Sequence, residues 1–383
     1  EHRAALDQLQ GQMQATGLTV TLDEAGTLIG RRKGPAGTKT LLMGSHQDSV
    51  RQGGAYDGIM GIVLPLLALE KLRSDGVDLP FSVEVLAFAD EEGVRFPTAL
   101  VGSRSLAGTF DPAVLSMQDT NGVTLRDAMM SFGLDPDRIA TLGRDPASVI
   151  GFVESHIEQG PVLEREDEAL GVVTAICGIE RHLIEVTGET GHAGTLPMAG
   201  RRDALVAAAS LVAEVDRLGQ NTPDLRATVG AFTIEPNVVN AVPRRVQMTA
   251  EFRSPDDATR RNAGEALHRF TQNLATTRQL TIEAKLTYSQ EAQPCDAELS
   301  DHLAKAAQHT GTRAMSLPSG ATHDASAMAD LCPIAMLFVR CRDGVSHKPE
   351  EFAGADEMGL AISALAAFLT TLGCESGQDT LLP

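Results

Sequence analysis

The chain has 383 residues, enough for two domains or for one large domain with an insertion. Its net charge of −19 argues against nucleic-acid binding, because phosphates require a basic protein face. The longest apolar run, at 61–69, is too short to span a membrane, and the first residues lack the pattern of a signal peptide. The five cysteines show no C-x-x-C spacing, which is typical of reduced thiols, so we expect a cytoplasmic protein.

Strand and helix patterns alternate over the first half of the chain. Apolar runs predict strands at 38–45 and 81–89, and the pattern at 60–76 predicts a helix that ends near Gly76. Strands separated by helices favour parallel βαβ units. The same alternation returns after residue 290, where we predict a strand at 332–340 and a closing helix at 356–373.

The middle of the chain has a different order of elements. The predicted order is β-α-β-β-α-β, with strands at 181–189, 226–235, 244–255 and 280–289 and helices at 200–219 and 257–277. This order is the split-βαβ plan of a small α/β sandwich. We therefore predict an α/β domain, with a mixed, mostly parallel sheet and helices on both faces, at residues 1–179 and 291–383. A ferredoxin-like α+β domain at 180–290 interrupts it.

Polar side chains collect where the predicted strands end. In an open α/β sheet, ligands bind beyond the carboxyl ends of the strands, so these side chains are the first candidates for a site. Four segments supply them: His46, Asp48 and Asp57; Asp90, Glu91 and Glu92; His156; and His347.

The run of three carboxylates at 90–92 is unfavourable unless a cation lies between them. Nitrogen and oxygen donors without thiolates suit zinc, manganese, cobalt or nickel, and two such ions need one carboxylate to bridge them. Each motif alone has an ordinary explanation: the run at 90–92 suits a solvated loop, and SHKPEE suits a loop before a helix. The prediction of a metal site depends on their coincidence at strand ends.

Several motifs occur in a fixed order over nearly the whole chain: GSHQDSVRQGGAYDG, ADEEGVRFP, GSRSLAG, SHIEQGPVLE, GHAGTLPMAGRRDA, NVVNAVP, EFRSPD, SGATHDA and GVSHKPEE. Together they resemble the hydantoinase/carbamoylase branch of the dinuclear-metal M20 amidohydrolases, which includes N-carbamoyl-L-amino-acid hydrolases, β-ureidopropionase-type enzymes and allantoate amidohydrolases. The HIEQG motif is specific to this branch, because peptidase and aminoacylase relatives usually have an acidic ligand in place of His156.

The resemblance implies two divalent metal ions in each subunit, either zinc or manganese, cobalt or nickel. His46 and His156 would bind one ion, Glu92 and His347 would bind the other, and Asp57 would bridge them. The first domain would therefore be the catalytic domain.

The resemblance also implies the residues that do the chemistry. Asp48 would orient the imidazole of His46. Glu91 would be the general base that deprotonates the attacking water and then the acid that protonates the leaving nitrogen. His192 would donate to the developing oxyanion, and the family pattern often supplies this group from a partner subunit. A homodimer that forms through the inserted lid domain is therefore implied.

For the substrate, the resemblance implies a small ureido or amide carboxylate. Arg253 would hold its carboxylate, for which the planar guanidinium is well suited. The other implied substrate-binding residues are Gln159, Asn240, His323 and Gly344. Two alternatives stay open: Arg253 pairs with Asp256 or Asp257 near a helix start, and His323 forms a buried structural pair with Asp324.

The function implied by the resemblance is hydrolysis of a linear C–N bond. The leading hypothesis is cleavage of an N-carbamoyl-L-amino acid into the L-amino acid, carbon dioxide and ammonia. Allantoate or another ureido acid is the alternative, followed by N-acyl amino acids. A hypothesis of another class is a metal-stabilised binding protein that has lost catalysis, but the presence of Glu91, the expected base, argues against it.

Overall fold

The computed structural model describes residues 2–376 and divides the chain into two compact units. The first unit contains the chain up to Thr174 and again from Cys295 onward, and the inserted unit is Ala175–Pro294. The inserted unit begins a few residues before the predicted position 180 and ends a few residues after 290. Its first long strand already begins at Gly178, and its last ends at Gln290.

The first unit contains these helices and strands: α1 (His2–Ala15), β1 (Thr19–Leu22), β2 (Leu28–Arg32), β3 (Thr40–His46), α2 (Ile59–Ser74), β4 (Ser82–Phe88), α3 (Val101–Ala107), α4 (Leu125–Phe132), β5 (Val149–Ile157), α5 (Val162–Arg165), β6 (Leu170–Ile176), and, after the inserted unit, α8 (Ala297–Gln308), β13 (Met315–Ser319), α9 (Asp324–Met328), β14 (Ile334–Val339) and α10 (Ala355–Ser376). The short strand β12 (Gln293–Pro294), at the end of the inserted range, pairs with β6. Four of these elements, β3, α2, β4 and β14, fall within about two residues of their predicted bounds.

Nine strands form one mixed sheet with the order β1-β2-β4-β3-β5-β14-β6-β12, and β13 pairs with β6. The four central strands, β4, β3, β5 and β14, run parallel, whereas β2 and β6 join them antiparallel. The predicted α/β class with a mixed sheet is confirmed. Because the central strands are parallel, their carboxyl ends meet at one edge of the sheet.

The two faces of this sheet follow from the alternation of side chains along each strand. Leu41 and Met43 of β3 belong to the main apolar cluster, together with buried residues of α1, α2, α8 and α10. Phe152 of β5 contacts Phe88 of β4 edge-on, with 5.9 Å between ring centroids. His46 lies opposite Phe88 in the β3–β4 ladder, so its side chain points to the same face as these aromatic rings.

The last helix, α10, closes the main core. It is the one candidate membrane span among the described residues by length and composition. It nevertheless packs against α2, α8 and β14, and its Leu365 and Phe368 are fully buried in the apolar cluster. Its apolar character is therefore explained by the core of the first unit.

The inserted unit is an antiparallel sheet with two helices: β7 (Gly178–Thr187), α6 (Ala204–Asn221), β8 (Arg226–Thr228), β9 (Phe232–Glu235), β10 (Arg245–Ser254), α7 (Asp257–Arg278) and β11 (Thr281–Gln290). The strand order is β11-β7-β10-β8, with β9 also on β10, which matches the predicted split-βαβ plan. The strand predicted at 226–235 is divided in two. Between the halves, the N–H of Ala231 donates to the Thr249 side chain instead of continuing the ladder.

Candidate active site

Asp57 lies between β3 and α2, and its side chain is almost fully buried. Its Oδ1 atom is 3.0 Å from Nε2 of His156 and 3.5 Å from Nε2 of His46. Its Oδ2 atom is 3.2 Å from Nε2 of His347. The two oxygens of one carboxylate therefore face two different groups of donors, which is the arrangement that a bridging ligand requires.

His46 and His156 present the same ring nitrogen toward Asp57. Nδ1 of His46 is 2.9 Å from the carbonyl oxygen of Asp48, and Nδ1 of His156 is 2.9 Å from the carbonyl of Ile157. If Nδ1 carries the proton and donates it to these carbonyls, Nε2 keeps a free lone pair for a ligand. The ring of His46 also requires Gly58, because a Cβ atom there would lie 2.4 Å from the imidazole.

Glu92 and His347 lie on the other side of Asp57. Oε1 of Glu92 is 3.8 Å from Nε2 of His347. His347 has φ of +59°, in the left-handed region that residues other than glycine rarely adopt. Its side chain is 51% exposed, so the pair opens toward solvent.

The donors converge closely enough to hold cations. Each of three overlapping groups has its ligand atoms within 4.8 Å of one another: His46, Asp57 and His156; His46, Glu91 and Glu92; and Asp57, Glu92 and His347. Nε2 of His156 and Oε1 of Glu92 are buried and have no hydrogen-bond partner among the described residues. Unpartnered buried atoms of this kind are explained when a cation binds them, so the residues fit a pair of divalent ions.

Asp48 acts at a different place from the one predicted. The contact that orients His46 comes from the backbone carbonyl of Asp48, while its carboxylate Oδ1 is 3.9 Å from the ring. The carboxylate instead accepts the N–H groups of Glu91 and Glu92, each at 3.1 Å. Through these two hydrogen bonds, Asp48 holds the backbone that carries both glutamates.

The electrostatics of the cluster differ between its members. Burial raises the pKa of Glu91, and the negative charges of Asp324, Glu92 and Asp48 add to this, while His46 opposes it. Burial also acts to raise the pKa of Asp57, but the neighbouring imidazoles of His156 and His46 lower it overall. Glu91 is therefore suited to hold a proton, whereas Asp57 stays ionised.

Three of the predicted substrate-binding residues, Gln159, His323 and Gly344, belong to the first unit. Gln159 donates its amide to Oδ2 of Asp57, at 3.2 Å, and to Oγ of Ser346, at 3.0 Å. Gly344 has φ of +64°, and a Cβ atom there would lie 2.6 Å from the backbone of Gly160, which explains the glycine. The structure therefore gives Gln159 and Gly344 contacts within the protein, and their contact with substrate stays a prediction.

His323 is 1% exposed and packs against the metal-facing histidines. Its ring meets that of His156 edge-on, with 4.5 Å between centroids, and its Nε2 atom is 2.7 Å from Oγ of Ser319. Burial and the neighbouring imidazoles lower its pKa well below the usual value. The structure thus favours a neutral, supporting role for His323. Asp324, the partner that the sequence alternative gave it, is also fully buried.

The inserted unit brings His192 next to Asn240. Their loops pair through the His192–Ala241 bridge, and the N–H of Ala193 donates to the carbonyl of Asn240 at 2.9 Å. Both side chains are exposed. Both side chains are therefore accessible to a ligand, and their contact with substrate stays a prediction.

Arg253 lies near the other end of the same sheet, in β10 opposite Ile179 of β7. Its Nε atom is 2.8 Å from the carboxylate of Glu251. Asp256 caps α7 through Thr259, and Asp257 contacts Arg260. An ion pair with Glu251 therefore fixes the stem of Arg253, a partner that the sequence did not indicate.

Sequence reasoning missed one buried carboxylate that supports the site. Glu154 is fully buried, accepts the Ser45 hydroxyl at 2.6 Å, and accepts the N–H of Ala325 at 2.8 Å. It therefore ties the residue before His46 to the start of α9. Its position two residues before His156, on the same face of β5, was the available signal.

Comparisons with known proteins agree with this geometry. The sequence model of peptidase family M20/M25/M40 matches residues 42–371. The N-carbamoyl-L-amino acid amidohydrolase of Geobacillus stearothermophilus is 36% identical over 366 residues, which cover 95% of this chain and 90% of that enzyme. The allantoate deiminase of Arabidopsis thaliana is 37% identical over 397 residues, which cover 95% of this chain and 76% of that enzyme.

Among solved structures, an amidase of the hydantoinase/carbamoylase family from Burkholderia multivorans superimposes with a TM-score of 0.92. It is 34% identical, and the match covers 97% of this chain and 90% of that chain. The likeness therefore extends over both units of the fold as well as over the motifs.

Proposed function

This chain belongs to the M20/M25/M40 peptidase family, within its hydantoinase/carbamoylase branch, and we propose that it hydrolyses the ureido C–N bond of an N-carbamoyl-L-amino acid. The products would be the L-amino acid, carbon dioxide and ammonia, which together contain the atoms of the substrate and of one water. At the level of the family, the chain is a metal-dependent amidohydrolase that acts on C–N bonds other than peptide bonds.

The observation that carries the proposal is the divided carboxylate of Asp57, with one oxygen toward His156 and the other toward His347. Zinc, manganese, cobalt or nickel ions in these positions would polarise the substrate carbonyl and lower the pKa of a bound water. Glu91 lies in the same cluster, removes a proton from the attacking water, and delivers it to the leaving nitrogen.

All the candidate substrates carry a carboxylate. We assign its recognition to Arg253, because a guanidinium binds a carboxylate through two parallel hydrogen bonds and stays charged at every working pH. The bond between its Nε atom and Glu251 limits the movement of the side chain. An amide substrate without a carboxylate would lose this interaction.

The test compares substrates on protein reconstituted with zinc or manganese. We expect the highest kcat/KM for one of the N-carbamoyl-L-amino acids, with smaller values for allantoate and for N-acetyl amino acids. The metal-free protein is the control. If no carbamoyl amino acid is hydrolysed while allantoate is, the proposed substrate is wrong and the family activity stands.

Allantoate is the second candidate because the Arabidopsis allantoate deiminase is as similar to this chain as the carbamoylase from Geobacillus. Allantoate also carries a carboxylate and ureido groups, so the same arginine and the same metal centre suit it. The same panel of substrates separates the two candidates directly.

We also propose a homodimer in which His192 of each subunit serves the site of its partner. Arg245 of β10 pairs with Thr187, and eight residues later Arg253 pairs with Ile179. At a rise of about 3.4 Å per residue, Arg253 lies roughly 27 Å from the Arg245 end, where the His192 loop continues the ladder. A small ureido acid, whose carboxylate and ureido carbon are a few bonds apart, cannot contact both residues of one subunit.

Mixing two inactive variants tests this arrangement. We expect Glu91→Gln and His192→Ala to be inactive separately, and a refolded equimolar mixture to recover about a quarter of wild-type activity. Half of the dimers would then be mixed, and each mixed dimer would hold one site with both Glu91 and His192. A mixture as inactive as its components would place His192 in the site of its own subunit, or remove it from the chemistry.

A further inference from the structure

Glu351, in the SHKPEE motif, is a buried carboxylate that the proposed chemistry does not use. It is 4% exposed, although its neighbour Glu350 is exposed. Its Oε1 atom accepts the N–H groups of Tyr56 and Asp57, both at 3.0 Å, and its Oε2 atom accepts the hydroxyl of Ser346 at 2.9 Å. A carboxylate is buried in this way only where hydrogen bonds replace its hydration.

These hydrogen bonds join the segments that carry two metal-facing residues. Tyr56 and Asp57 belong to the loop before α2, and Ser346 precedes His347 directly. The backbone N–H of Glu351 also donates to the carbonyl of Lys348, at 3.0 Å. Glu351 therefore contacts the residues on both sides of His347, as well as Asp57 itself.

The directions of the hydrogen bonds form one consistent chain. The amide of Gln159 has two N–H groups, one for Oδ2 of Asp57 and one for Oγ of Ser346. Ser346 has a single hydroxyl proton, and Glu351 accepts it at 2.9 Å, whereas Oδ2 of Asp57 is 3.4 Å away. Oδ2 of Asp57 thus keeps its remaining lone pair directed toward His347.

His347 has few other constraints. Its side chain is about half exposed, and its backbone adopts a left-handed conformation that is unfavourable for a non-glycine residue. Such a conformation persists where surrounding contacts impose it. The contacts of Glu351 with Ser346 and Lys348 supply them.

The loop before α2 is shaped to admit the carboxylate. A Cβ atom on Gly54 would lie 2.2 Å from Oε1 of Glu351 and 2.3 Å from its Cβ atom. Any residue other than glycine at position 54 would therefore displace Glu351 or the loop itself. This close approach is independent of the hydrogen bonds and points to the same arrangement.

We propose that Glu351 is a positioning residue for the second metal ion, the one between Asp57, Glu92 and His347. Through Ser346 and the N–H of Asp57, it sets the separation between Oδ2 of Asp57 and the imidazole of His347. The first ion, between His46 and His156, depends on it less. These histidines lie at the ends of β3 and β5, their Nδ1 atoms face the carbonyls of Asp48 and Ile157, and this ion shares only Asp57 with the second. The inference rests on the two-ion centre of the proposed function.

The experiment measures stepwise metal affinity. Metal-free wild-type protein and the variants Glu351→Gln and Ser346→Ala are titrated with zinc against a competing chelator, and bound metal is counted by elemental analysis. Glu351→Gln retains one acceptor oxygen for the backbone but presents an NH₂ group to Ser346. We expect the weaker zinc step to lose about 10- to 100-fold in affinity in both variants, while the tighter step changes much less.

Two further variants separate positioning from general stability. Glu350→Gln removes an adjacent, exposed charge and should bind both ions as the wild type does. Gly54→Ala should reproduce the loss at the weaker step without altering the charge of Glu351. Activity at saturating zinc should recover more fully in Glu351→Gln than in a Glu351→Ala variant, because glutamine keeps one of the acceptors.

The outcomes are distinct. Equal weakening of both zinc steps, or none, in folded Glu351→Gln and Ser346→Ala protein would overturn the inference. Wild-type protein that takes up fewer than two ions would instead contradict the two-ion centre of the proposed function. If Glu351→Gln fails to fold, Ser346→Ala and Gly54→Ala decide the question alone.

Discussion

In the inserted unit, the guanidinium of Arg260 is 1% exposed and lies 3.2 Å from Glu180 and 3.0 Å from Asp257. Glu180 in turn contacts Nε2 of His182 at 2.7 Å. In the first unit, the metal-facing edge also buries imidazoles and carboxylates. Nε2 of His156 and Oε1 of Glu92 lie beside Asp57 and His347 but form no hydrogen bond within the described part of the chain. One cluster satisfies its own charges, and the other does not.

This difference distinguishes a structural cluster from a binding site. A buried charge without a partner destabilises a fold, so it persists where something outside the chain supplies the partner. The paired cluster around Arg260 needs nothing further, and we assign it to the stability of the inserted unit. Both clusters belong to one chain, so substitutions in each of them can be compared in the same protein.

Removal of metal should have the largest effect. Dialysis against a strong chelator should lower kcat/KM by about 10³-fold or more, because the ions contribute several kcal/mol to stabilisation of the transition state. Zinc or manganese should restore the activity. Calorimetry should also show a less stable first unit, since the carboxylates around Asp57 then repel one another. Full activity in protein shown by elemental analysis to be metal-free would end the contrast between the clusters.

Glu91→Gln should sharpen the contrast within the metal cluster. We expect kcat to fall about 10²- to 10⁴-fold, the range typical of a lost general acid–base group, while both ions remain bound. Glu92→Gln is the matched comparison, because it should lose metal as well as activity. Steady-state kinetics with metal analysis distinguish the two. Undiminished turnover in Glu91→Gln would remove Glu91 from the reaction.

Arg260→Met tests the paired cluster. The substitution leaves the buried Glu180 and the partly buried Asp257 without their cation, and we expect the free energy of unfolding to fall by about 3 kcal/mol. Urea denaturation measures this change. Metal content should stay at the wild-type value, because no metal-facing residue is altered. The control is Arg261→Met, which removes an exposed pair with Glu291, 3.8 Å apart, and should be nearly neutral.

A metal loss in Arg260→Met protein would show that the two clusters are not independent. An unchanged free energy of unfolding would show that the paired cluster contributes nothing to the fold. Either result would contradict the assignment made from hydrogen-bond partners.

The sequence could predict the metal-facing donors because each lies at the end of a strand or after it, and the carboxyl ends of parallel strands share one edge of a sheet. The partners of those donors were not predictable. Glu351 reaches Asp57 across 294 positions of the chain. The carboxylate of Asp48 selects the N–H groups of Glu91 and Glu92 instead of the His46 ring, which depends on the path of two turns rather than on residue type.

The division of a predicted strand into β8 and β9 has a similar cause. The alternating pattern over 226–235 is continuous, but the Thr249 side chain replaces a ladder partner at Ala231. A cross-strand contact of this kind leaves no trace in the local pattern. Composition and periodicity therefore predict the elements, while side chains from distant segments determine their interruptions.

The smallest predicted effect concerns Asp23, a partly buried residue of the first unit whose Oδ2 atom is buried and for which no metal role is proposed. Its Oδ1 atom accepts the N–H groups of Ala25 and Thr27, while Oδ2 has no partner within residues 2–376. Burial raises its pKa to about 6, so folding favours the protonated form. The stability that this group contributes is complete below the pKa of the unfolded chain and is lost as the pH rises through about 6.

Asp23→Asn keeps the acceptor oxygen without the charge, so its stability relative to wild type should increase by about 1 kcal/mol between pH 5 and pH 7. Urea denaturation at the two pH values measures this, and a gain that is independent of pH would mean that Asp23 is not the group that titrates. The expected gain would also show that an unpartnered buried carboxylate without a cation costs stability, which is the premise of the contrast between the two clusters.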